Sequence, residues 1–230
     1  MRALIRGVAA LGVSAVLLAA PAIAAEKAPT APVKAGKSLN QAQDRTSPYL
    51  RVFGVTPPPY GHVDFCQRES RQCDIGAWEE VRRAGKGAAL AELDRVNRQI
   101  NTEIAPMTDM DQYGVEDYWT LPRSGRGDCE DYALLKRARL IQAGWPASAL
   151  LMTVVFDEHN EGHAVLTART ADGDLILDNK TNLIRLWSQT PYEFVMRSSY
   201  LDPHIWMSLD PERAAPSVPI PVAGVRGALR

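Results

Sequence analysis

Gly127-Asp128-Cys129-Glu130-Asp131 sets one thiol among three carboxylates at the start of a strongly helical stretch. A cysteine attacks as its thiolate, which a helix N-terminus favours and neighbouring carboxylates oppose by like-charge repulsion. Two readings resolve the conflict. Either the acids cap a helix beside an unreactive cysteine, or a cation sits on them while a basic partner holds the thiolate. His163 is a candidate partner: it follows Glu161-Gly162 and opens the apolar, alternating stretch Ala164 to Arg169. Asp178, with Asn179, closes the strand that returns beside it and supplies an acid to orient the imidazole. Nucleophile, base and orienting acid together make a thiolate–imidazolium pair. His62 and His159 lie in loop-like sequence and His204 follows Asp202-Pro203, so these three read as surface or packing groups.

The elements around these residues have legible boundaries. Asp128 suits an N-cap, Glu130 and Asp131 suit the positive end of a helix dipole, and Lys136, Arg137 and Arg139 suit its negative end. Gly144 and Pro146 stop that helix, and Leu134, Ala138 and Ile141 mark a buried face. Upstream, Leu90, Leu93, Val96, Asn97 and Ile100 line one face of another helix that ends before Pro106, and helical sequence begins near Trp78. Residues 107–127, between the two helices, have no clean period and read as a structured loop. After the second helix the period becomes two over Leu151 to Phe156, Ala164 to Arg169 and Leu175 to Leu177, with a hairpin at Ala171-Asp172-Gly173-Asp174. Helices followed by antiparallel strands give an α+β fold. A turn centred on Asp172-Gly173 puts His163 opposite Asn182 and Asp178 opposite Thr167, so Asn182 is the alternative orienting group. An amide also holds an imidazole.

Arg2 and Arg6 precede an apolar run from Val8 to Ala20 and the small residues Ala22-Ile23-Ala24, the pattern of a cleaved secretory signal over residues 1–24. The expected organisation continues with a disordered tether over 25–48, one domain over 49–210 and a tail over 211–230. No later segment is long and apolar enough to span a bilayer, so the mature chain is expected in the periplasm. The net charge of −1 and the lack of a basic patch interleaved with aromatics argue against nucleic acid. Three cysteines cannot all pair within one chain. Cys66 and Cys73 enclose a short polar loop and suit a disulfide in an oxidising compartment, leaving Cys129 free; the alternative pairs Cys129 with one of them. The absence of a Cys-x-x-Cys pair weighs against a thiol redox protein.

Four blocks, in order, carry a resemblance: Tyr113-Gly114 with Asp117-Tyr118-Trp119, Gly127 to Tyr132, Gly162-His163-Ala164-Val165-Leu166, and Leu177-Asp178-Asn179. The chain resembles the bacterial transglutaminase-like cysteine proteinases, the LapG-type family of periplasmic proteases, and the Phe65-Cys66 to Cys73 loop looks like its exported α-proteobacterial branch. The resemblance implies a papain/transglutaminase-like core with Cys129 as nucleophile, His163 as base and Asp178 as orienting acid. It further implies calcium held near the cysteine by Asp128 and Glu130, a shell that Asp131, carbonyls or water would have to complete. By looser similarity to transglutaminases, the Trp119 indole joins the Cys129 N–H as an oxyanion donor. The implied partners are a protein substrate such as a large surface adhesin and an inner-membrane receptor that senses a cyclic dinucleotide. Acyl transfer to an amine, or a non-catalytic binding module of the same fold, are the alternative functions.

Overall fold

A computed structural model describes residues 43–74 and 87–214. The expected signal peptide, most of the tether and the helical start near Trp78 lie outside the described residues. From Gln43 the chain is already fixed: Arg45 donates to the carbonyls of Ser188 and Thr190, and the Gln43 side chain bonds Arg51 and Leu209. The last residues of the expected tether therefore belong to the folded body.

Strand β1 (Gly54–Thr56) leads into α1 (Tyr60–Arg68), then α2 (Ala88–Glu103), the short β2 (Ala105–Pro106), α3 (Asp109–Tyr113), β3 (Arg126–Gly127) and α4 (Cys129–Gln142). The remaining strands are β4 (Leu150–Phe156), β5 (Gly162–Thr170), β6 (Gly173–Leu177), β7 (Arg185–Leu186), β8 (Glu193–Ser198) and β9 (Trp206–Ser208). Seven strands form one antiparallel sheet in the order β1-β9-β8-β4-β5-β6-β7, and β2 pairs in parallel with β3. The α+β architecture is as the sequence implies.

The period of two divides the sheet residues between two cores. Met152, Leu166, Ala168, Leu175 and Leu177 join Leu93, Val96, Ile100, Tyr132 and Leu140 from the helices. Val155, Val165 and Ile176 join Trp187, Tyr192, Phe194 and Leu50 in the other. α4 is enclosed more completely than a single stripe implies, with Tyr132, Ala133, Leu134, Lys136, Arg137, Ala138 and Leu140 all buried. On α2, Leu93, Val96, Asn97 and Ile100 are buried as expected, but Leu90, in the first turn of the helix, is 41% exposed. Two elements escaped the sequence reading. α1 begins directly after Pro59, which holds its N-cap position because residues at a helix start need no N–H partner, and α3 sits inside the expected loop with Thr108 as its cap.

The hairpin register corrects the expectation that Asp172-Gly173 forms the turn. Arg169 pairs with Asp174 and Thr170 with Gly173, so the turn is Ala171-Asp172. The Thr170 hydroxyl closes it by donating to Gly173 O at 2.9 Å. Gly173 is required for another reason: at φ 134°, a Cβ there would stand 2.5 Å from the carbonyl of Pro48, which accepts from Asp174 N.

Candidate active site

That two-residue shift brings Asp178 to His163. The last hairpin pair is Leu166 with Leu177, so Asp178 follows level with Val165, one pleat from His163 on the same face of the sheet. His163 Nε2 lies 2.9 Å from Asp178 Oδ1, with both side chains buried. Asp178 Oδ1 also accepts from Lys180 N at 3.0 Å, and Oδ2 accepts from the Tyr192 hydroxyl. Burial pushes the Asp178 carboxyl up, but the bonds from His163, Tyr192 and Lys180 more than reverse it and hold it below the ordinary carboxylate range. Asn182 is placed elsewhere: its Oδ1 accepts from Asn101. Tyr192 was not found from the sequence, where a lone tyrosine beyond the last anticipated strand carries no signal.

Cys129 is the first residue of α4 and is half-buried. It lines the same cleft as His163, and Ala164 N–H, next to His163, faces its sulfur. With Nε2 engaged by Asp178, Nδ1 is the imidazole nitrogen left for the thiol. One lobe of the cleft, of about 460 Å³, runs beside Pro57 to Pro59, Trp119, Val154 and Met196. The other, of about 490 Å³, runs beside Pro106, Thr108, Asp111, Asn179 and Lys180. A groove open on both sides of a thiol and an imidazole fits an extended chain with its reacting carbonyl in the middle.

Asp128 does not act as a cap. It holds the N-cap position of α4, yet its side chain caps nothing there; its Oδ2 accepts from Asp109 N at 3.1 Å. Glu130 accepts from the Cys129 thiol at 3.1 Å. Burial, then the charge and hydrogen bond of Glu130, push the thiol well above its usual value, against the Ala164 N–H. Burial and the charge of Asp128 push Glu130 up to about 9, and burial pushes Asp131 up to about 8. Asp131 lies outside the closest set of these acids, its Oδ1 accepting from Thr120 N at 2.8 Å and its Oδ2 buried without a partner.

Carboxylate oxygens of Asp109, Asp128 and Glu130 instead lie within 4.8 Å of one another, and Asp128 Oδ1 is buried without a partner. Hard carboxylate oxygens converging in this way, one of them unpaired, fit a divalent cation of the calcium type. Asp109 was missed because it stands 19 residues before Asp128, and only the pairing of β2 with β3 brings α3 back to the start of α4. Trp119 lines the cleft, but its indole N–H donates to Asp117 Oδ1 at 2.7 Å. The Cys129 backbone N–H, at the first helical position, has no acceptor within the helix. Cys66 and Cys73 form a disulfide with a Cα separation of 5.6 Å, and Cys129 is free.

No curated protein is similar to the chain at a significant level. Among solved structures, calcium-bound LapG of Legionella pneumophila is 26% identical over 59% of this chain and 77% of its own, with a TM-score of 0.47. A second structure of LapG from the same organism is 30% identical over 49% and 66%, with a TM-score of 0.43. The EGTA-treated form is 30% identical over 49% and 64%, with a TM-score of 0.42. The family model of the bacterial transglutaminase-like cysteine proteinases matches residues 52–214, a span that contains α4, the β5–β6 hairpin and the whole cleft. The chain belongs to that family and is a transglutaminase-like cysteine peptidase.

Proposed function

We propose that the protein hydrolyses a peptide bond of an exported or surface protein through Cys129, His163 and Asp178. The observation that carries this reading is the buried 2.9 Å contact between His163 Nε2 and Asp178 Oδ1, in an imidazole that shares its cleft with Cys129. His163 Nδ1 takes the proton of Cys129 Sγ, and the sulfur attacks the carbonyl carbon. The oxyanion formed is met by the Cys129 backbone N–H. As the C–N bond breaks, His163 returns its proton to the leaving amine, leaving a thioester. Water, deprotonated by the same nitrogen, attacks the thioester, and the sulfur leaves to recover its proton. Asp178 keeps its charge throughout and balances the imidazolium.

The resting thiol donates to Glu130 and lies high, so its acid neighbours must be offset before it ionises. Asp109, Asp128 and Glu130 would hold calcium, whose charge would supply that offset. The family resemblance extends the proposal to the periplasm as compartment, a large adhesin as substrate and a cyclic-dinucleotide-sensing receptor as regulator. Among the described residues, no helix is long and apolar enough to cross a membrane. Comparing new N-termini on surface proteins exposed to wild-type enzyme or to Cys129→Ser tests the reading. Cleavage confined to the wild type is expected, and equal cleavage by both would end it.

A further inference from the structure

The proposed acid, Asp178, begins a stretch, 178–182, that is neither helical nor paired in the sheet. Its anchor is α2. Asn101 Nδ2 donates to Asp178 O and to Asn182 Oδ1, both at 2.9 Å, with Thr181 O at 3.3 Å. One turn earlier, Asn97 Nδ2 donates to Thr181 O at 3.2 Å. Asn97 is fully buried among Leu93, Val96 and Ile100, where an apolar side chain would pack without a desolvation cost. The Oδ1 atoms of both asparagines are buried without a partner, so each amide is present for its donors, and those donors converge on one loop.

We infer that Asn101, backed by Asn97, is a positioning residue: it fixes the main chain of Asp178 so that the carboxylate meets His163 Nε2. The inference rests on the reading of His163 and Asp178 as catalytic. It also accounts for Asn182, which serves Asn101 rather than the imidazole. An acid carried by an untethered loop would swing by more than the tolerance of a hydrogen bond, and misplacement of about 1 Å costs roughly a hundredfold in rate.

The test is Asn101→Ala in the full chain, assayed far below its melting temperature for kcat, KM and the pH dependence of Cys129 alkylation. The expected result is a kcat lower by about ten- to a hundredfold with KM nearly unchanged, and an alkylation profile altered in the same sense as in Asp178→Ala. In an Asp178→Ala background the same change should cost less than about twofold further, because both act through one group. Asn182→Ala, which leaves the Asp178 carbonyl bond in place, should remain within about threefold of wild type. If Asn101→Ala does not fold, Asn101→Ser retains one donor and carries the same test with a loss of about fivefold. A lower melting temperature with unchanged kcat, or full additivity with Asp178→Ala, overturns the inference alone. An Asp178→Ala enzyme with wild-type kcat overturns the catalytic reading and this inference with it.

Discussion

Cys129 stands where opposing forces meet, and in this protein burial adds to the repulsion of the acids, so the thiol is held protonated against Glu130. Its reactivity then depends on His163 and on what offsets the acids. Cys129→Ser and His163→Ala should each abolish nearly all proteolysis in folded protein, because nucleophile and base act as a unit. More than about a hundredth of wild-type activity in Cys129→Ser would discard the assignment. Tyr192→Phe removes one of the bonds that depress Asp178 and should cost about 2 kcal/mol of stability, the worth of a hydrogen bond to a charged group. The sign with pH follows from the depressed folded pKa of Asp178. Its contribution is present above the unfolded value near 4 and fades as pH falls through the lower folded value. Urea unfolding should therefore show the wild-type advantage over Tyr192→Phe at pH 6, shrinking in strong acid.

At the scale of elements, α4 owes its position to close approaches that leave no room for side chains. A Cβ on Gly127 would stand 2.4 Å from Asp131 Oδ2 and 2.7 Å from its Cβ, so Gly127→Ala must displace the residue that ties Thr120 to the helix start. A loss of about 1–3 kcal/mol and slower Cys129 alkylation are expected; wild-type values for both would show that the junction yields. Lys136, one of the most deeply buried side chains of α4, is pushed down to about 7 by burial, only partly countered by the charge of Asp178. The unfolded lysine titrates near 10, so between about pH 7 and 10 the unfolded chain binds the extra proton and stability gains as pH rises. Lys136→Met should be more stable than wild type at pH 7, and the difference should narrow towards pH 10 in parallel urea titrations. A difference that does not change with pH would exclude a buried titrating amine.

For the whole molecule, a disulfide closes the loop that follows α1, and an acid cluster joins α3 to the start of α4. The Cys66–Cys73 loop is short, so its loss should cost about 2.5 kcal/mol by closure entropy, seen as a lower urea midpoint in Cys66→Ser/Cys73→Ser. The acid cluster spans α3 and the start of α4, so calcium there would join the two helices across the loop between them. Calcium should raise the melting temperature and magnesium should do so less, since the flexible carboxylate set fits the larger ion. Asp109→Asn should weaken calcium binding in calorimetry at least tenfold, by about 1.4 kcal/mol or more, while Asp131→Asn should change it little. The reverse order would return the site to the contiguous acids of the motif.

The sequence by itself determined what short range controls. The strands follow from their alternation and the extent of α4 from its apolar spacing up to Gly144, although the Asp128 side chain does not cap it, and Cys129 and His163 stood out through the motifs around them and the family those motifs resemble. The Cys66–Cys73 bridge was legible because the two cysteines enclose a short polar loop in a chain read as exported, and pairing Cys129 would tie up the residue in the most unusual setting. Tertiary structure decided what depends on registry and distant approach. Which acid or amide meets His163 turned on a two-residue shift of the hairpin, set by the Thr170 hydroxyl and by Pro48 against Gly173, both invisible to periodicity. The acid cluster likewise gained Asp109 and left Asp131 outside because β2 pairs with β3 and Thr120 claims a carboxylate oxygen. Side-chain type is written locally, whereas a hydrogen bond is made only where folding brings its two ends together.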